Sequence, residues 1–107
     1  MPTVPLSEIN LLHQNICPAV NDPRRIQILY ALSEGPRNVT ELATMLEMPQ
    51  SSVSRHLGIL RQRLIVETTR DGNSVVYSLA TPLVVEILDL MRQLMRDVVE
   101  QQSGILD

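Results

Sequence analysis

Between Asn38 and Arg63 apolar residues recur at intervals of three and four in two short runs, which part at Pro49. The first run holds Val39, Leu42, Ala43 and Leu46, which share one face of a helix turning about 100° per residue. Asn38, with Glu41 three positions later, predicts a capping box that supplies acceptors to the unpaired N–H groups of the first turn. Pro49 lacks an N–H and cannot extend this helix, but it can occupy the first turn of the next. The second run, Gln50 to about Arg63, places Val53, Leu57, Leu60 and Leu64 on one stripe. Its opposite side centres on Ser51, Arg55 and Gln62, flanked by Ser52 and Ser54. One face can seat in a core, while the other offers hydroxyls and a guanidinium, groups that read phosphates and base edges in a major groove. This is the helix-turn-helix pattern. A helical hairpin whose polar face merely meets water has the same spacing.

Around this centre the pattern continues in both directions. Residues 1–5, with two Pro, are expected to be extended or frayed. Ser7 to about Ile16 forms a helix with Leu6, Ile9, Leu12, His13 and Ile16 in a stripe, and Cys17-Pro18 is expected to stop it. Asp22 as N-cap and Pro23 at the first helical position start a second helix, with Ile26, Leu29, Tyr30 and Leu32 apolar. That helix runs to about Ser33 and ends at Gly35-Pro36. After Arg63 the period changes. Leu64–Arg70 and Ser74–Leu79 are rich in β-branched residues and partly alternate, and Asp71-Gly72-Asn73 between them marks a hairpin. Thr81-Pro82 opens a last helix to about Gln101, apolar over most of its girth from Leu83 to Val99. Such a helix must be buried on two sides. In a small domain a second copy of the chain supplies the second side most cheaply, as a two-fold dimer.

Composition narrows the class. The 107 residues fit one domain, 1–107, and the core must be aliphatic because there are two Tyr and neither Phe nor Trp. No stretch approaches the ~18 consecutive apolar residues of a membrane span, and the N-terminus lacks the basic start and apolar stretch of a signal peptide. A single Cys excludes an internal disulfide and fits a reducing cytoplasm. The net charge of −3 argues at first against nucleic acid. Its distribution points the other way: residues 24–80 hold seven Arg against five acids, and both flanks are acidic. A mildly basic centre suits contact with phosphate through one surface only, with weak non-specific binding and strong salt sensitivity. All nine basic residues are Arg, which favours planar bidentate contacts over point charges.

The order of elements, with Asp22-Pro-Arg-Arg-Ile-Gln-Ile-Leu, Glu41-Leu-Ala, Gln50-Ser-Ser-Val-Ser-Arg-His-Leu, Leu60-Arg and Arg70-Asp-Gly-Asn-Ser-Val-Val-Tyr-Ser-Leu, resembles the ArsR family of bacterial winged-helix repressors from about residue 6 to 100. The resemblance implies a mainly α fold with a small β-hairpin, the winged helix-turn-helix α-α-α-α-β-β-α. Its motif spans about 38–63, its wing about 64–79, and it dimerises through helices at about 7–17 and 82–101. It further implies a double-stranded DNA operator, a recognition helix in each major groove, a wing along a neighbouring minor groove or backbone, and release by a ligand. The expected DNA-binding residues are Thr40, Gln50, Ser51, Ser52, Ser54, Arg55 and His56, with Arg70 and Asn73 on the wing.

Departures from the family are as informative. Metal sensors of the family often carry Cys-x-Cys where this chain has Arg37-Asn38-Val39-Thr40, and others pair His with carboxylates on a last helix that here has no His. One Cys and two His leave a soft-metal site within a protomer short of ligands, and a redox Cys pair is absent. No metal and no cofactor is therefore expected. Cys17 is expected as a small buried hydrophobe; its alternatives are a haem ligand, a cross-dimer disulfide, or a site shared with His13 across the dimer. His13 itself is expected in a core or interface, and Met91 with Met95 in core packing. His56 serves either a structural hydrogen bond or a phosphate. Glu47 stands at a turn position usually held by Gly, and Gly58 at one that often carries Lys. No Ser/His/Asp or Cys/His set, phosphate-binding Gly loop or metal–acid cluster is legible, so no enzyme is expected. The operator, the regulated genes and any small-molecule effector stay open, as does a winged-helix dimer for protein contacts or architectural DNA binding.

Overall fold

The computed structural model describes residues 3–103. The elements run α1 (Leu6–Asn15), α2 (Cys17–Val20), α3 (Pro23–Ser33), α4 (Val39–Leu46), α5 (Gln50–Gln62), β1 (Val66–Asp71), β2 (Ser74–Leu79) and α6 (Leu83–Ser103). Of the start expected to be extended, Thr3–Pro5 carry no regular structure, and residues 1–2 lie outside the described residues.

The local signals at helix starts hold. The Asp22 carboxylate accepts from the Arg24 N–H at 2.8 Å, with Pro23 opening α3. At α4 the capping box closes in both directions: the Glu41 N–H donates to Asn38 Oδ1 at 2.8 Å, and the Asn38 N–H to Glu41 Oε1 at 2.9 Å. The first helix ends at Asn15, just before Cys17-Pro18 as expected, but a second short helix follows at once. The chain breaks at Ile16 and restarts as α2 with Pro18 in the first turn, where a missing N–H leaves no bond unmade.

Both helices of the central motif end in the same way. Met48 N–H reaches Ala43 O at 3.0 Å and Glu47 N–H reaches Thr44 O at 3.4 Å, around Glu47 at φ 53°. Ile65 N–H reaches Leu60 O at 3.1 Å and Leu64 N–H reaches Arg61 O at 3.0 Å, around Leu64 at φ 61°. These are Schellman bonds, and neither left-handed residue is the Gly that such a position favours. The second one corrects the expected stripe of α5. Leu64 is 81% exposed, because the left-handed turn takes it off the helical path. Ile65 and Val66 turn inward in its place.

The core lies between α3, α4 and α5, where Ile28, Leu29, Leu42, Val53, Leu57 and Leu60 are fully buried. α2 adds Ala19, the start of the hairpin adds Ile65 and Val66, and α6 adds Leu88. On α3 the buried set is Ile28, Leu29, Ala31 and Leu32, whereas the expected Ile26 and Tyr30 sit half-buried beside it. β1 and β2 pair antiparallel from Val66 with Leu79 to Asp71 with Ser74, leaving Gly72-Asn73 as a two-residue loop with Gly72 at φ 64°. Backbone bonds in both directions between Arg37 and Tyr77 (3.0 and 2.8 Å) tie the segment before α4 to the hairpin.

The outer helices stay uncovered within one protomer. α1 buries no residue, and Leu6, Ile9, Leu12 and Ile16 are exposed. On α6 Leu83, Ile87, Leu90, Met91, Leu94, Met95 and Val98 are exposed, so Met91 and Met95 are not core residues of the protomer. α6 is held to α3 by Tyr30, whose hydroxyl donates to Asp89 Oδ1 at 2.7 Å, with Arg92 over the ring at 5.4 Å. Burial and this bond to a carboxylate raise the Tyr30 hydroxyl above its ordinary range. No described helix is long and apolar enough to cross a membrane.

Candidate nucleic-acid interface

α5 is divided sharply between two environments. Val53, His56, Leu57 and Leu60 are buried, whereas Gln50, Ser51, Ser54 and Arg55 are exposed and Ser52 is half-buried. The division follows from the 3.6-residue period acting on a sequence with apolar residues on one side only. Pro49 provides no side-chain cap, so the first N–H groups of this thirteen-residue helix point outward beside Gln50 and Ser51. Such an end carries a partial positive charge and free donors, both suited to phosphate. Thr40 is exposed in the first turn of α4, and Arg70 and Asn73 are exposed at the tip of the hairpin. Gly58 lies on the outer face as well, and beyond its own helical turns and chain neighbours no atom lies within 4 Å of the position a Cβ would take.

His56 departs from the expected DNA-binding set. Its side chain is 3% exposed, and its Nδ1 meets Arg25 Nη1 at 3.2 Å. Of its two open roles the structural hydrogen bond is the one this geometry supports, because a buried imidazole facing a guanidinium has no path to a phosphate. Burial lowers the imidazole's affinity for a proton; Asp22 opposes this, and the nearby Arg55, Arg25 and Arg24 reinforce it. Asp22 is in turn held below the usual carboxylate range, chiefly by the N–H of Arg24.

Arg25 was not legible as part of the site, since its contacts span α2, α3 and α5. Arg37 and Arg63 likewise emerge only from the fold: their Nε atoms are buried and have no hydrogen-bond partner among the described residues. No spacing of Arg along the chain signals a buried Nε.

Cys17 is exposed rather than buried, which corrects the expected small hydrophobe; α2 begins there, and its inward position falls to Ala19. His13 is exposed too, and the helix breaks at Ile16 between the two. Among the described residues no group of three or more His, Cys, Asp or Glu could hold a metal ion. The donors present do not fit a metal site within one protomer: one thiol stands alone, and one imidazole is taken up by a guanidinium.

Residues 22–68 match the family described as bacterial regulatory protein, arsR family. The chain is 36% identical over 86 residues to the uncharacterized HTH-type transcriptional regulator Rv0081 of Mycobacterium tuberculosis, covering 79% of this chain and 75% of that one. The crystal structure of Rv0081 superposes with a TM-score of 0.76 at 32% identity, over 94% of this chain and 98% of that one. The transcriptional repressor SdpR of Bacillus subtilis is 31% identical over 72% of this chain and 86% of its own. The homodimeric winged helix-turn-helix DNA-binding domain of Mb0332 from Mycobacterium bovis matches with a TM-score of 0.76 at 28% identity, over 94% of this chain and 95% of that one. With its two-faced α5, its hairpin wing and these relatives, the chain belongs to the ArsR family of winged helix-turn-helix, DNA-binding transcriptional regulators.

Proposed function

We propose that the protein is a cytoplasmic homodimeric repressor of an imperfect palindromic operator, and that it works without the metal-sensing cysteines of its family. The observation that carries this reading is the division of α5, whose buried side fixes it on α3 and α4 while Gln50, Ser51, Ser54 and Arg55 stand clear of the protein. In this reading those four residues and Ser52 enter the major groove, with Arg55 as the base reader. Thr40 and the open N-terminus of α5 take phosphates, and Arg70 and Asn73 carry the wing to the neighbouring backbone. The uncovered apolar faces of α1 and α6 support the dimer, as does the homodimeric state of the Mb0332 domain. SdpR, named a repressor, supports the sign of regulation. The places that hold thiolates in metal-sensing relatives hold Arg37 and Asn38 here, so the effector, where one acts, is not a soft metal bound there.

The test is selection of bound duplexes from a random DNA pool by the purified protein across a salt series. The expected product is an imperfect palindrome with half-sites about one helical turn, or a multiple, apart, bound with an affinity that falls steeply with salt. The net charge of −3 favours a second reading in which the same dimer serves protein contacts. Recovery of no duplex even at low salt would put that reading in place of the first, and salt-labile recovery without a preferred sequence would make the protein an architectural binder.

A further inference from the structure

The Arg25 side chain makes contacts that the DNA-binding reading does not use. Its Nε donates to Ala19 O at 3.0 Å and its Nη2 to Pro18 O at 2.9 Å, so it holds the backbone of α2. Its Nη1 faces His56 Nδ1 at 3.2 Å, and Asp22 Oδ2 lies 3.9 Å from the same nitrogen. One largely buried guanidinium thus joins three elements: α2, the start of α3, and the recognition helix. α2 follows directly from α1, the uncovered helix at the N-terminal side.

The chemistry of this contact permits only one form of His56. A guanidinium has donors and no acceptor, and it stays charged at every pH of interest. The 3.2 Å contact therefore requires a lone pair on Nδ1, which places the imidazole proton on Nε2. In the imidazolium both nitrogens donate. Two N–H groups and two positive charges would then meet at a buried ring with little water to screen them. Either the ring leaves the clamp or Arg25 releases the α2 carbonyls. His56 is the neighbour of Ser54 and Arg55, so a displaced ring moves the residues that face the groove.

We propose that Arg25 is a positioning residue for DNA binding: it holds the recognition helix through a neutral His56, and protonation of His56 withdraws the geometry that fits the operator. This rests on the DNA-binding reading above. The charged groups around the ring are Arg24, Arg25 and Asp22 from α3 and its cap, and Arg55 from α5 itself. Asp22 alone among them favours the imidazolium, and it lies at 3.9 Å from Arg25, to which it is already paired. α4 and β1 also pack on α5; their carboxylates Glu41, Glu67 and Asp71, and Glu47 at the end of α4, are all solvent-exposed. Burial and three Arg thus outweigh one carboxylate, and the neutral ring prevails at neutral pH.

The experiment compares the wild-type protein with His56→Gln on a labelled duplex from the selection, from about pH 7.5 to about pH 4.5, a span that takes in an imidazole whose midpoint burial has lowered. Gln offers Oε1 as an acceptor for Arg25 and does not titrate, while His13 is retained in both proteins. The expected result is comparable affinity at the upper pH. Below the imidazole midpoint the wild type then loses roughly tenfold for each pH unit relative to His56→Gln, the fold-change that one bound proton imposes. Parallel profiles would overturn the proposal. ¹⁵N NMR of the wild-type imidazoles supplies a second measurement that does not depend on the variant's folding. The Nε2–H tautomer and a His56 midpoint coincident with the loss of affinity are expected; the Nδ1–H tautomer, or a midpoint displaced from that loss, would overturn it. Failure of the wild type to bind any duplex at about pH 7.5 removes the DNA reading itself and the proposal with it. Binding at that pH with parallel profiles removes the proposal alone.

Discussion

Gly58 sits in the interior of the recognition helix, on the side that faces away from the core. A Gly there forgoes about 0.8–1.0 kcal/mol of helix propensity relative to Ala. Usually some of that cost is returned by close packing that only Gly allows. Here, beyond the backbone of its own helical turns and its two chain neighbours, no atom lies within 4 Å of an added Cβ, so no tertiary packing offsets the gain on substitution. Gly58→Ala is therefore expected to stabilise the protein by about 1 kcal/mol, a rise in Tm of roughly 4–8 °C for a chain of this size. Melting should be followed by circular dichroism at one fixed protomer concentration, because dimerisation makes Tm concentration-dependent. Gly58→Lys keeps most of this gain and adds one cation on the outer face. If that face meets phosphate, the slope of log affinity against log salt steepens by about 0.9. Over a fourfold change in salt that amounts to about 3.5-fold. A Tm that stays level or falls for Gly58→Ala would refute the account of the helix as unencumbered there. A raised Tm joined to a loss of DNA affinity in both variants would instead show that DNA approaches the backbone at Gly58 too closely for any side chain.

Other substitutions probe the same two helices. Glu47→Gly relieves a left-handed backbone that costs an L-residue about 1–2 kcal/mol, against roughly 0.5–1 kcal/mol of extra freedom in the unfolded chain. Urea unfolding should show a net stabilisation of about 0.5–1 kcal/mol, and a destabilised variant would contradict the φ of 53° at this turn. Arg55→Ala is expected to weaken operator binding by about 1–3 kcal/mol and to relax preference at one base pair; an unchanged affinity on the selected duplex would remove Arg55 from the reading set. The lowered proton affinity of buried His56 also fixes a sign for stability. The unfolded chain takes up a proton as pH falls through the ordinary value of 6.5, before the folded protein does. Stability from this group is thus complete above that pH, declines as pH falls below it, and levels off beneath the folded-state midpoint. Urea midpoints that rise on acidification from neutral pH, relative to His56→Gln, would contradict this.

Much of the architecture is settled by local chemistry that a linear chain displays. Asn38 with Glu41, and Asp22 with Pro23, mark their helix starts because capping bonds reach only a few residues. Asp71-Gly72-Asn73 marks the hairpin because the turn needs a residue that accepts positive φ, and Gly72 supplies it. The polar face of α5 is legible because a helix repeats its faces with a fixed period. Where the chain leaves that period, the pattern misleads. Leu64 continues the stripe on paper, yet the Schellman turn takes it into solvent. Cys17-Pro18 marks the end of the first helix correctly, but not the short helix that restarts at Cys17 and packs Ala19 inside. What tertiary structure alone decided are the meetings of residues far apart in sequence. Arg25 and His56 stand 31 positions apart, Tyr30 and Asp89 stand 59 apart, and Arg37 pairs with Tyr77 across the motif. Periodicity places each of these residues on a face, but which face meets which is fixed by the packing of whole elements around Ile28, Leu42 and Leu57. For that reason His56 reads equally well as a phosphate ligand or a structural residue in sequence, and only the folded chain puts it against a guanidinium.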